Sequence, residues 1–278
     1  MHEKRILVTG CSSGIGLASA LYLQQAGWQV FASARRAEDV EKLRPQFPLA
    51  LQMDVDSSES IRAGVARVLE QTGGMLDAVF SNAGFGQPGA VEDIPRNALR
   101  QQFETNVFGT WELVSEVLPV MRRQGHGRIL FNSSVLGFAP MRWRGAYNAS
   151  KFALEGMVDT LRLELDGTGI QVSLVEPGPI VSRFRPNALQ HFLAHVDHRR
   201  SVHADVYERE LQRLQKEGEA IISLKTRLKE ILSLYGPKES MPIIYEQNIT
   251  KKDASRRPFS YKMEDWMKRS YCLLQGLR

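Results

Sequence analysis

Short apolar runs alternate with longer amphipathic stretches along the first two thirds of the chain. The apolar runs predict strands, and several are apolar on both faces, as strands buried in a parallel sheet are. The strands are predicted at Arg5–Thr9, Trp28–Ala34, Leu49–Met53, Met75–Asn82, Gly127–Ser134 and Ile170–Pro177. Helices are predicted between them at Gly14–Gln25, Ala37–Arg44, Ser57–Gln71, Asn97–Arg123 and Ala146–Asp166. Because strands alternate with crossover helices, the sequence predicts an α/β fold: a doubly wound parallel sheet with helices on both faces, in a single domain.

The regular alternation ends after Pro177. Residues 186–217 are predicted to be helical and polar, without a strand. Beyond them, Ala220–Gly236 predicts an amphipathic helix and Pro242–Tyr245 a weak last strand. The predicted organisation is a core in residues 1–185, a helical segment in 186–217, and a C-terminal part in 218–278 that belongs to the same domain but differs in composition.

The composition is that of an ordinary globular protein, with 43% hydrophobic and 24% charged residues among 278. The formal net charge is +5, and the last 61 residues account for all of it, with 12 basic and seven acidic residues. A basic tail can contact nucleic acid or an acidic membrane surface; the other interpretation is a solvated helical face. The solvated face is favoured, because basic and aromatic residues do not interleave as they do in single-strand binders. We expect no nucleic-acid partner.

The sequence contains no stretch that predicts insertion into a membrane. No uncharged apolar run reaches the roughly 18–20 residues of a spanning helix, and the first residues lack the apolar run and cleavage site of a signal peptide. The two cysteines, Cys11 and Cys272, form neither a disulfide framework nor a metal-ligand spacing. We therefore expect a cytoplasmic protein without a transmembrane segment.

A glycine-rich loop, VTGCSSGIG, joins the first predicted strand to the first predicted helix. Its glycines are Gly10, Gly14 and Gly16. They allow a tight turn, a close approach of the backbone to a pyrophosphate, and close packing of the helix on the strand. The N–H groups and the dipole at the helix start then favour phosphate. The spacing differs from the G-x-G-x-x-G fingerprint, but its place in the first strand–helix turn predicts a dinucleotide site.

Arg35 and Arg36 follow the second predicted strand, where the adenosine ribose of a bound dinucleotide lies. An acidic residue there binds the 2′-hydroxyl of NAD, whereas an arginine suits the 2′-phosphate of NADP. Ala34 leaves no carboxylate at the end of the strand. NADP(H) is therefore predicted in preference to NAD(H). The alternative interpretation is a pair of solvated arginines at the start of a helix.

Six motifs occur in the order and at the spacing of the short-chain dehydrogenase/reductase family. They are TGCSSGIG, NAG (Asn82–Gly84), Asn106, NSS (Asn132–Ser134), YNASK (Tyr147–Lys151) and PGPI (Pro177–Ile180). The chain resembles this family over residues 4–185, and its local sequence is most similar to the branch that contains hydroxysteroid and retinol dehydrogenases. The resemblance implies a Rossmann-like fold in which residues 1–185 form the dinucleotide-binding and catalytic core. It also implies that residues 186–217 are a covering segment, which closes over the substrate.

The resemblance also implies catalytic roles for Asn106, Ser134, Tyr147 and Lys151. An ordinary tyrosine has a pKa near 10, and a lysine four residues further on lies on the same helix face, where its charge stabilises the phenolate. By resemblance, Tyr147 exchanges a proton with the substrate oxygen, and Lys151 lowers its pKa and holds the nicotinamide ribose. Ser134 would hydrogen-bond the substrate oxygen. Asn106 would hold a water molecule that links Lys151 to solvent.

Further cofactor contacts follow from the same resemblance. Asp54 is expected to bind the adenine amino group with Val55 beside it, and the backbone of Ile180 is expected to line the nicotinamide. The complete predicted set is Gly10, Ser12, Ser13, Gly14, Ile15, Gly16, Arg35, Arg36, Asp54, Val55, Asn82, Ala83, Gly84, Tyr147, Lys151, Pro177, Gly178, Ile180 and Ser182.

A histidine pair in the covering segment raises the alternative of a metal site. His191 and His195 have i, i+4 spacing, but Phe192 stands where a zinc-protease helix carries a glutamate. No nearby cysteine or carboxylate completes a ligand set, so we predict no metal.

Large apolar side chains are the candidates for the substrate pocket. They are Phe85, Phe138, Met141, Trp143, Phe184 and Phe192. Apolar walls around one polar anchor predict an apolar ketone, aldehyde or alcohol as the substrate.

The sequence-based hypothesis is an NADP(H)-dependent oxidoreductase that interconverts an apolar ketone or aldehyde and its alcohol. The family resemblance implies a homodimer or homotetramer in which helices such as Asn97–Arg123 and Ala146–Asp166 pair. The alternative is an NADP(H)-binding scaffold or sensor without turnover, because residues 218–278 depart from the family's usual composition and an altered C-terminal part would damage the substrate-covering segment.

Overall fold

Six parallel strands form one sheet in the computed structural model, which describes residues 4–180 and 182–215. The strands are β1 (Arg5–Val8), β2 (Gln29–Ala34), β3 (Leu51–Gln52), β4 (Ala78–Ser81), β5 (Gly127–Asn132) and β6 (Ile170–Val175). Their order across the sheet is β3-β2-β1-β4-β5-β6. The chain therefore starts in the middle of the sheet, builds one half and then crosses over to build the other. The predicted doubly wound α/β fold is confirmed.

Eight α-helices lie within the described residues. They are α1 (Gly14–Gln25), α2 (Ala37–Leu43), α3 (Ser58–Thr72), α4 (Arg96–Phe103), α5 (Gly109–Gln124), α6 (Gly145–Glu164), α7 (Phe184–His195) and α8 (Ala204–Gln215). Turn residues set their limits as the sequence indicates: Ser57 caps α3 by accepting a hydrogen bond from the Ser60 N–H, and Gly73 ends that helix with φ of 65°. The predicted helix 220–236, the predicted strand 242–245 and the predicted C-terminal part 218–278 lie outside the described residues.

The long helix predicted at Asn97–Arg123 is interrupted. A π-helical turn, Glu104–Phe108, separates α4 from α5. Gly109 follows this turn and lies so close to the chain after β3 that a Cβ would stand 2.0 Å from the Val55 carbonyl oxygen. A π turn changes the directions in which its side chains point. Here the Asn106 side chain points toward the loop after β4, where it hydrogen-bonds the backbone of Phe85. Sequence periodicity does not detect a single inserted residue of this kind.

Successive strand residues point to opposite faces of the sheet, so the buried strands supply two hydrophobic cores. On one face, Leu7 and Ile129 pack with α3, α5 and α6. On the other face, Ile6 and Leu130 pack with α1 and α2. This double burial explains why the strands are apolar at consecutive positions.

The helices α7 and α8, which occupy the predicted covering segment, are anchored by Tyr207. Its side chain is 1% exposed. Its hydroxyl accepts a hydrogen bond of 2.8 Å from the Ala90 N–H and donates one to the Asp93 carboxylate. Arg144, just before α6, forms a 3.1 Å salt bridge with Glu210 of α8. The segment is thus attached both to the loop after β4 and to the start of α6. None of the helices in the described residues combines the length and apolar character needed to cross a membrane.

Candidate active site

The loop after β1 turns sharply into α1. Gly10 and Gly14 have φ values of 71° and 62°, a region that favours glycine. A Cβ on Gly14 would lie 3.4 Å from the Ser182 side chain, so the loop faces the segment that follows β6. The first turn of α1 contains no acidic residue. Its dipole and N–H groups therefore favour an anion at this point.

Asn82 connects the ends of three neighbouring strands. Its side-chain N–H donates to the Thr9 carbonyl at 2.8 Å, and its side-chain oxygen accepts from Asn132 at 3.0 Å. The Thr9 hydroxyl in turn accepts from the N–H groups of Asn82 and Ala83 at 2.9 and 3.0 Å. A Cβ on Gly10 would lie 2.9 Å from the Ala83 Cα. The predicted cofactor segment after β4 is therefore held in contact with the glycine loop.

The two predicted arginines have different surroundings. Arg36 donates to Asp39 at 2.8 Å and pairs with Glu38 at 3.0 Å, so its guanidinium is engaged by the first turn of α2. Arg35 is exposed and forms no salt bridge with the described residues. Its charge nevertheless acts on the Asp56 carboxyl after β3 and on His191 in α7. Of the two arginines, Arg35 is therefore the one whose charge acts on groups after β3 and in α7.

The predicted adenine contacts lie at the end of β3. The Asp54 carboxylate accepts a hydrogen bond from the Asp56 N–H at 3.1 Å, and the Asp54 N–H donates to the Ser60 hydroxyl at 2.9 Å. Val55 is buried against Gly109. Asp54 therefore shapes its own turn in this structure and retains acceptor capacity toward the cleft.

Tyr147 and Ser134 meet at the carboxyl end of β5. The first turn of α6 brings the Tyr147 side chain, 8% exposed, to the Ser134 hydroxyl, with which it hydrogen-bonds. Ser134 is oriented by the short turn that follows it, since its oxygen accepts from the Leu136 N–H at 3.1 Å. The predicted catalytic pair is thus brought together by two separate elements.

Lys151 lies one helical turn beyond Tyr147 and is 5% exposed. Its ammonium donates to the Asn132 carbonyl at 2.5 Å and is 5.7 Å from the centre of the Tyr147 ring. Burial lowers the pKa of Lys151 to about 8, although the charge of Glu155 opposes this shift. Lys151 therefore remains mostly protonated at neutral pH.

Tyr147 does not show the lowered pKa that the Tyr-x-x-x-Lys spacing predicts. Burial raises the pKa of Tyr147 to about 12, and the hydrogen bond from Ser134 offsets only part of this effect. The reason is that removing a phenolate from water outweighs the support of nearby groups in this structure. The phenol is consequently protonated at neutral pH.

The Asn106 side chain contacts two elements: the loop after β4 and the helix α6. Its side-chain N–H groups donate to the Phe85 carbonyl at 3.0 Å and to the Ser150 hydroxyl at 3.1 Å, and its oxygen accepts from the Phe85 N–H at 3.1 Å. Ser150 donates to the Tyr147 carbonyl at 2.8 Å. Asn106 is therefore linked to the Tyr147 helix through Ser150, and its expected water-holding role stays a prediction.

Aromatic rings from the loop after β4, α6 and α7 form two pairs near the site. The Phe184 ring meets the Tyr147 ring edge-on at 5.4 Å, and Phe85 stacks on His191 at 4.0 Å. Two other predicted pocket residues lie elsewhere: Trp143 and Phe192 pack around Tyr207 in the cluster that holds α8. The prediction for these two residues was wrong, because their hydrophobic partners come from a helix whose position the sequence does not reveal.

The segment after β6 approaches Ser134 and the glycine loop. The Pro177 carbonyl accepts from the Ser134 hydroxyl at 3.5 Å. The Ser182 hydroxyl accepts from the Phe184 N–H at 3.3 Å and so begins α7. Gly178 and Ile180 lie between these points and are partly exposed. The predicted nicotinamide segment thus runs along the same edge of the sheet as Tyr147.

The glycine loop follows the carboxyl end of β1, and the buried Tyr147, Ser134 and Lys151 meet at the carboxyl end of β5. The family model described as short chain dehydrogenase matches residues 4–191. The chain belongs to the short chain dehydrogenase family. It is accordingly an oxidoreductase of a family that uses nicotinamide cofactors.

Relatives of this chain include an uncharacterized oxidoreductase and two dehydrogenases that are named after their substrates. It is 46% identical over 188 residues to the uncharacterized oxidoreductase YbbO of Escherichia coli, covering 68% of this chain and 70% of that protein. It is 39% identical to human retinol dehydrogenase 8 (67% and 62% covered) and 36% identical to human 17-beta-hydroxysteroid dehydrogenase type 1 (68% and 60% covered). The match thus spans less than two thirds of these two human enzymes.

A solved structure supports the fold. The short chain dehydrogenase/reductase from Burkholderia phymatum, in complex with NAD, has a TM-score of 0.72 and 24% identity, and the match covers 84% of this chain and 85% of that one.

Four residues around the site were assigned no role from the sequence: Thr9, Ser133, Glu155 and Glu176. The Thr9 hydroxyl accepts from the Asn82 N–H, Ser133 donates to Glu155, and the charge of Glu155 acts on Lys151 and on Glu176. Glu155 follows Tyr147 and Lys151 at the same four-residue spacing, and Thr9 and Ser133 lie within the quoted motifs TGCSSGIG and NSS. Their contacts join different elements, so the local pattern did not reveal what each side chain does. In the part of the chain that the structure describes, no three His, Cys, Asp or Glu side chains gather as metal ligands.

Proposed function

We propose that this protein is an NADP(H)-dependent oxidoreductase that interconverts an apolar ketone or aldehyde and its alcohol, with Tyr147 as the general acid and base. The observation that carries the proposal is the buried Tyr147 hydroxyl, hydrogen-bonded to Ser134 and flanked by the Lys151 ammonium. A protonated phenol next to a second hydroxyl donor suits a carbonyl oxygen that gains negative charge during reduction.

The residues of the cleft fit a dinucleotide. The loop around Gly10 and Gly14 offers φ values and space that a Cβ would fill, at the start of a helix without acidic residues in its first turn. The cofactor, when bound, supplies or accepts the hydride. Tyr147 donates a proton to the substrate oxygen or receives one from it, and Ser134 donates a hydrogen bond to the same oxygen. The Lys151 ammonium would hold the ribose hydroxyls of the cofactor.

The preference for NADP(H) rests on Arg35. Arg35 is exposed, is without a salt bridge to any described residue and acts by its charge on His191, whereas Arg36 is engaged by Asp39 and Glu38. Ala34 ends β2 without a carboxylate that would receive the 2′-hydroxyl of NAD. An unengaged guanidinium at this point suits a phosphate.

The apolar substrate class rests on the surroundings of Tyr147. The Phe184 ring packs edge-on against the Tyr147 ring, and Phe85 and His191, from the loop after β4 and from α7, stack on each other. Burial lowers the pKa of His191, so this ring is neutral at neutral pH and adds an uncharged surface. The names of retinol dehydrogenase 8 and 17-beta-hydroxysteroid dehydrogenase type 1 indicate large apolar substrates for those relatives, which supports the same class here.

A second copy of the chain is the proposed partner. Phe108, Trp111 and Phe152 are 54%, 53% and 44% exposed at the end of the π turn, on α5 and on α6. Large aromatic side chains on two neighbouring helices provide the apolar centre that a stable protein interface needs. We place a homo-oligomer contact on this face.

The proposed function is tested by the consumption of NADPH and of NADH with a panel of apolar ketones and aldehydes of increasing size, and with a small polar aldehyde for comparison. Faster turnover of the apolar carbonyls with NADPH supports the proposal. Tight NADPH binding without turnover of any carbonyl would instead favour the cofactor-binding scaffold.

A further inference from the structure

Three consecutive residues at the end of β5 each contact one residue of α6, and the α6 residues are spaced one helical turn apart. The pairs are Asn132 with Lys151, Ser133 with Glu155, and Ser134 with Tyr147. Side chains four residues apart lie on the same face of a helix. Glu155 is therefore the third member of a row whose first two members are the proposed catalytic tyrosine and lysine.

The Glu155 carboxylate is held in a defined position. It accepts a hydrogen bond from the Ser133 hydroxyl. It also lies against the turn after Ser134, where a Cβ on Gly137 would stand 2.8 Å from its Oε1. Burial raises the pKa of Glu155, and the Ser133 hydrogen bond opposes that shift by favouring the ionised form. A hydroxyl donor aimed at a half-buried carboxylate is the arrangement that keeps it charged.

Charged groups act on Glu155 from α6 and from the end of β6. They are Lys151, Asp159 and Arg162 on α6, and Glu176 after β6. Burial together with the charge of Glu155 raises the pKa of Glu176 to about 8. Glu176 is therefore mostly neutral at neutral pH. Of the two neighbouring carboxyl groups, Glu155 is the one with a hydroxyl donor, which favours its ionised form.

The buried Lys151 ammonium requires a negative charge nearby. Its ammonium is buried and donates to the Asn132 carbonyl at 2.5 Å, and an ammonium in a buried site is unstable unless an opposite charge compensates for the lost water. Glu155 is the group whose charge raises the pKa of Lys151 against the effect of burial. It acts through space, since its carboxylate bonds Ser133.

We propose that Glu155 is a positioning residue for proton transfer: its carboxylate, held by Ser133, keeps Lys151 in the ammonium form beside Tyr147. This inference rests on the proposed function of Tyr147 and Lys151. It gives Ser133 and Glu155 a role in setting the charge of Lys151. This role does not require either residue to contact the substrate or the cofactor.

The direct test is the pKa of Lys151 in the protein without cofactor or substrate. Lysine labelled with ¹³C at Cε reports its own protonation by NMR, and the Lys151 resonance is assigned by its absence from Lys151→Met or Lys151→Arg. In Glu155→Gln, the Lys151 pKa is expected to fall by about one pH unit. In Glu155→Asp, which retains the carboxylate, it is expected to remain within about half a pH unit of the wild-type value.

Two further variants separate charge from structure. Glu164→Gln removes an exposed carboxylate at the end of the same helix and is expected to leave the Lys151 pKa unchanged. Ser133→Ala keeps the Glu155 carboxylate but removes its hydrogen bond, so the Lys151 pKa should move in the same direction as in Glu155→Gln, by less. If the pKa of Lys151 is the same in the wild type, Glu155→Gln and Ser133→Ala, the proposal is wrong.

The pH dependence of turnover links this effect to function. In Glu155→Gln, the alkaline limb of the kcat/KM profile is expected to shift to lower pH by as much as the Lys151 pKa, with rates near those of the wild type at acidic pH. A profile that falls equally at all pH values would overturn the proposed link. If the wild type itself turns over no carbonyl, the proposed function fails, whereas the NMR titration still decides the role of Glu155.

Discussion

Gly16 lies directly against the carbonyl oxygen of Gly10: a Cβ on Gly16 would stand 2.4 Å from that oxygen and 2.5 Å from the Asn82 Nδ2. The contact joins α1 to the turn that precedes it and to the end of β4. No side chain fits there without displacing backbone. The shape of the anion site therefore depends on the absence of one methyl group.

Gly16→Ala is accordingly expected to lower the free energy of unfolding and to raise the Kd for NADPH about tenfold, because the displaced loop loses hydrogen bonds to a charged ligand. Denaturant unfolding and fluorescence titration measure the two effects. Gly156→Ala is the matched control: nothing lies within 4 Å of its Cβ position, and alanine should stabilise α6 by about 0.5–1 kcal/mol. Equal effects of the two substitutions would contradict the packing argument.

Tyr147→Phe removes the proposed proton donor and leaves the ring that packs edge-on with Phe184. Turnover of the best carbonyl substrate is expected to fall by about 10²–10⁴-fold, the usual contribution of a positioned general acid. The Kd for NADPH should change little, which shows that the fold and the cofactor site remain intact. A variant that keeps more than about a tenth of the wild-type kcat would show that another group delivers the proton.

Arg35→Ala is expected to weaken NADPH binding by about 10- to 100-fold, because it removes a hydrogen bond between the guanidinium and the charged 2′-phosphate. NADH, which lacks this phosphate, is expected to bind nearly as well as to the wild type. Arg36→Ala is the control on the adjacent residue, whose guanidinium is engaged by Asp39 and Glu38. Titrations of both variants with NADPH and with NADH show which arginine determines the cofactor preference. Loss of NADPH selectivity only in the Arg36 variant would reverse the assignment.

The raised pKa of Glu176 predicts that the free energy of unfolding depends on pH. Its pKa is raised from the ordinary value of 4.5 to about 8 by burial, so the folded protein binds this proton more tightly than the unfolded chain. The corresponding stabilisation is complete below pH 4.5 and is lost as the pH rises through about 8. Glu155, whose pKa is also raised, adds a loss of the same sign.

Glu176→Gln should therefore reduce the decline in unfolding free energy between about pH 5 and about pH 8, and should make the protein more stable than the wild type at the upper end. Guanidinium denaturation at a series of pH values measures this difference. The exposed Glu164→Gln should leave the slope as it is. A Glu176→Gln slope equal to that of the wild type would show that this carboxyl titrates normally.

The exposed aromatic face gives a further prediction. Trp111→Glu should shift the protein toward monomers in analytical ultracentrifugation, because aromatic residues dominate the energy of protein interfaces and a buried unpaired carboxylate opposes association. Val202→Glu is the control, since Val202 is 86% exposed in the loop before α8. If the wild type sediments as a monomer, the proposed contact between copies on this face is ruled out.

The site could be predicted from the sequence where its residues are close together along the chain. The loop from Gly10 to Gly16, the Tyr147–Lys151 turn and Arg35 beside Ala34 are all local patterns with a direct physical meaning. The partners that hold them are distant in sequence: Asn132 and Asn82 are 50 residues apart, and Tyr207 is 117 residues from Ala90. Such contacts depend on which strands and helices become neighbours, so local patterns do not reveal them.

The sequence by itself determined the doubly wound sheet, because buried parallel strands must be apolar on both faces and their connections must cross over. It also indicated the sharp glycine loop before α1, since glycine suits the positive φ values at Gly10 and Gly14. Only the tertiary structure decided the charge states, since the pKa values of Tyr147, Lys151 and Glu176 follow from burial and from neighbours on other elements. The removal of water from an ionisable group is a property of the packed molecule, and no stretch of sequence contains it.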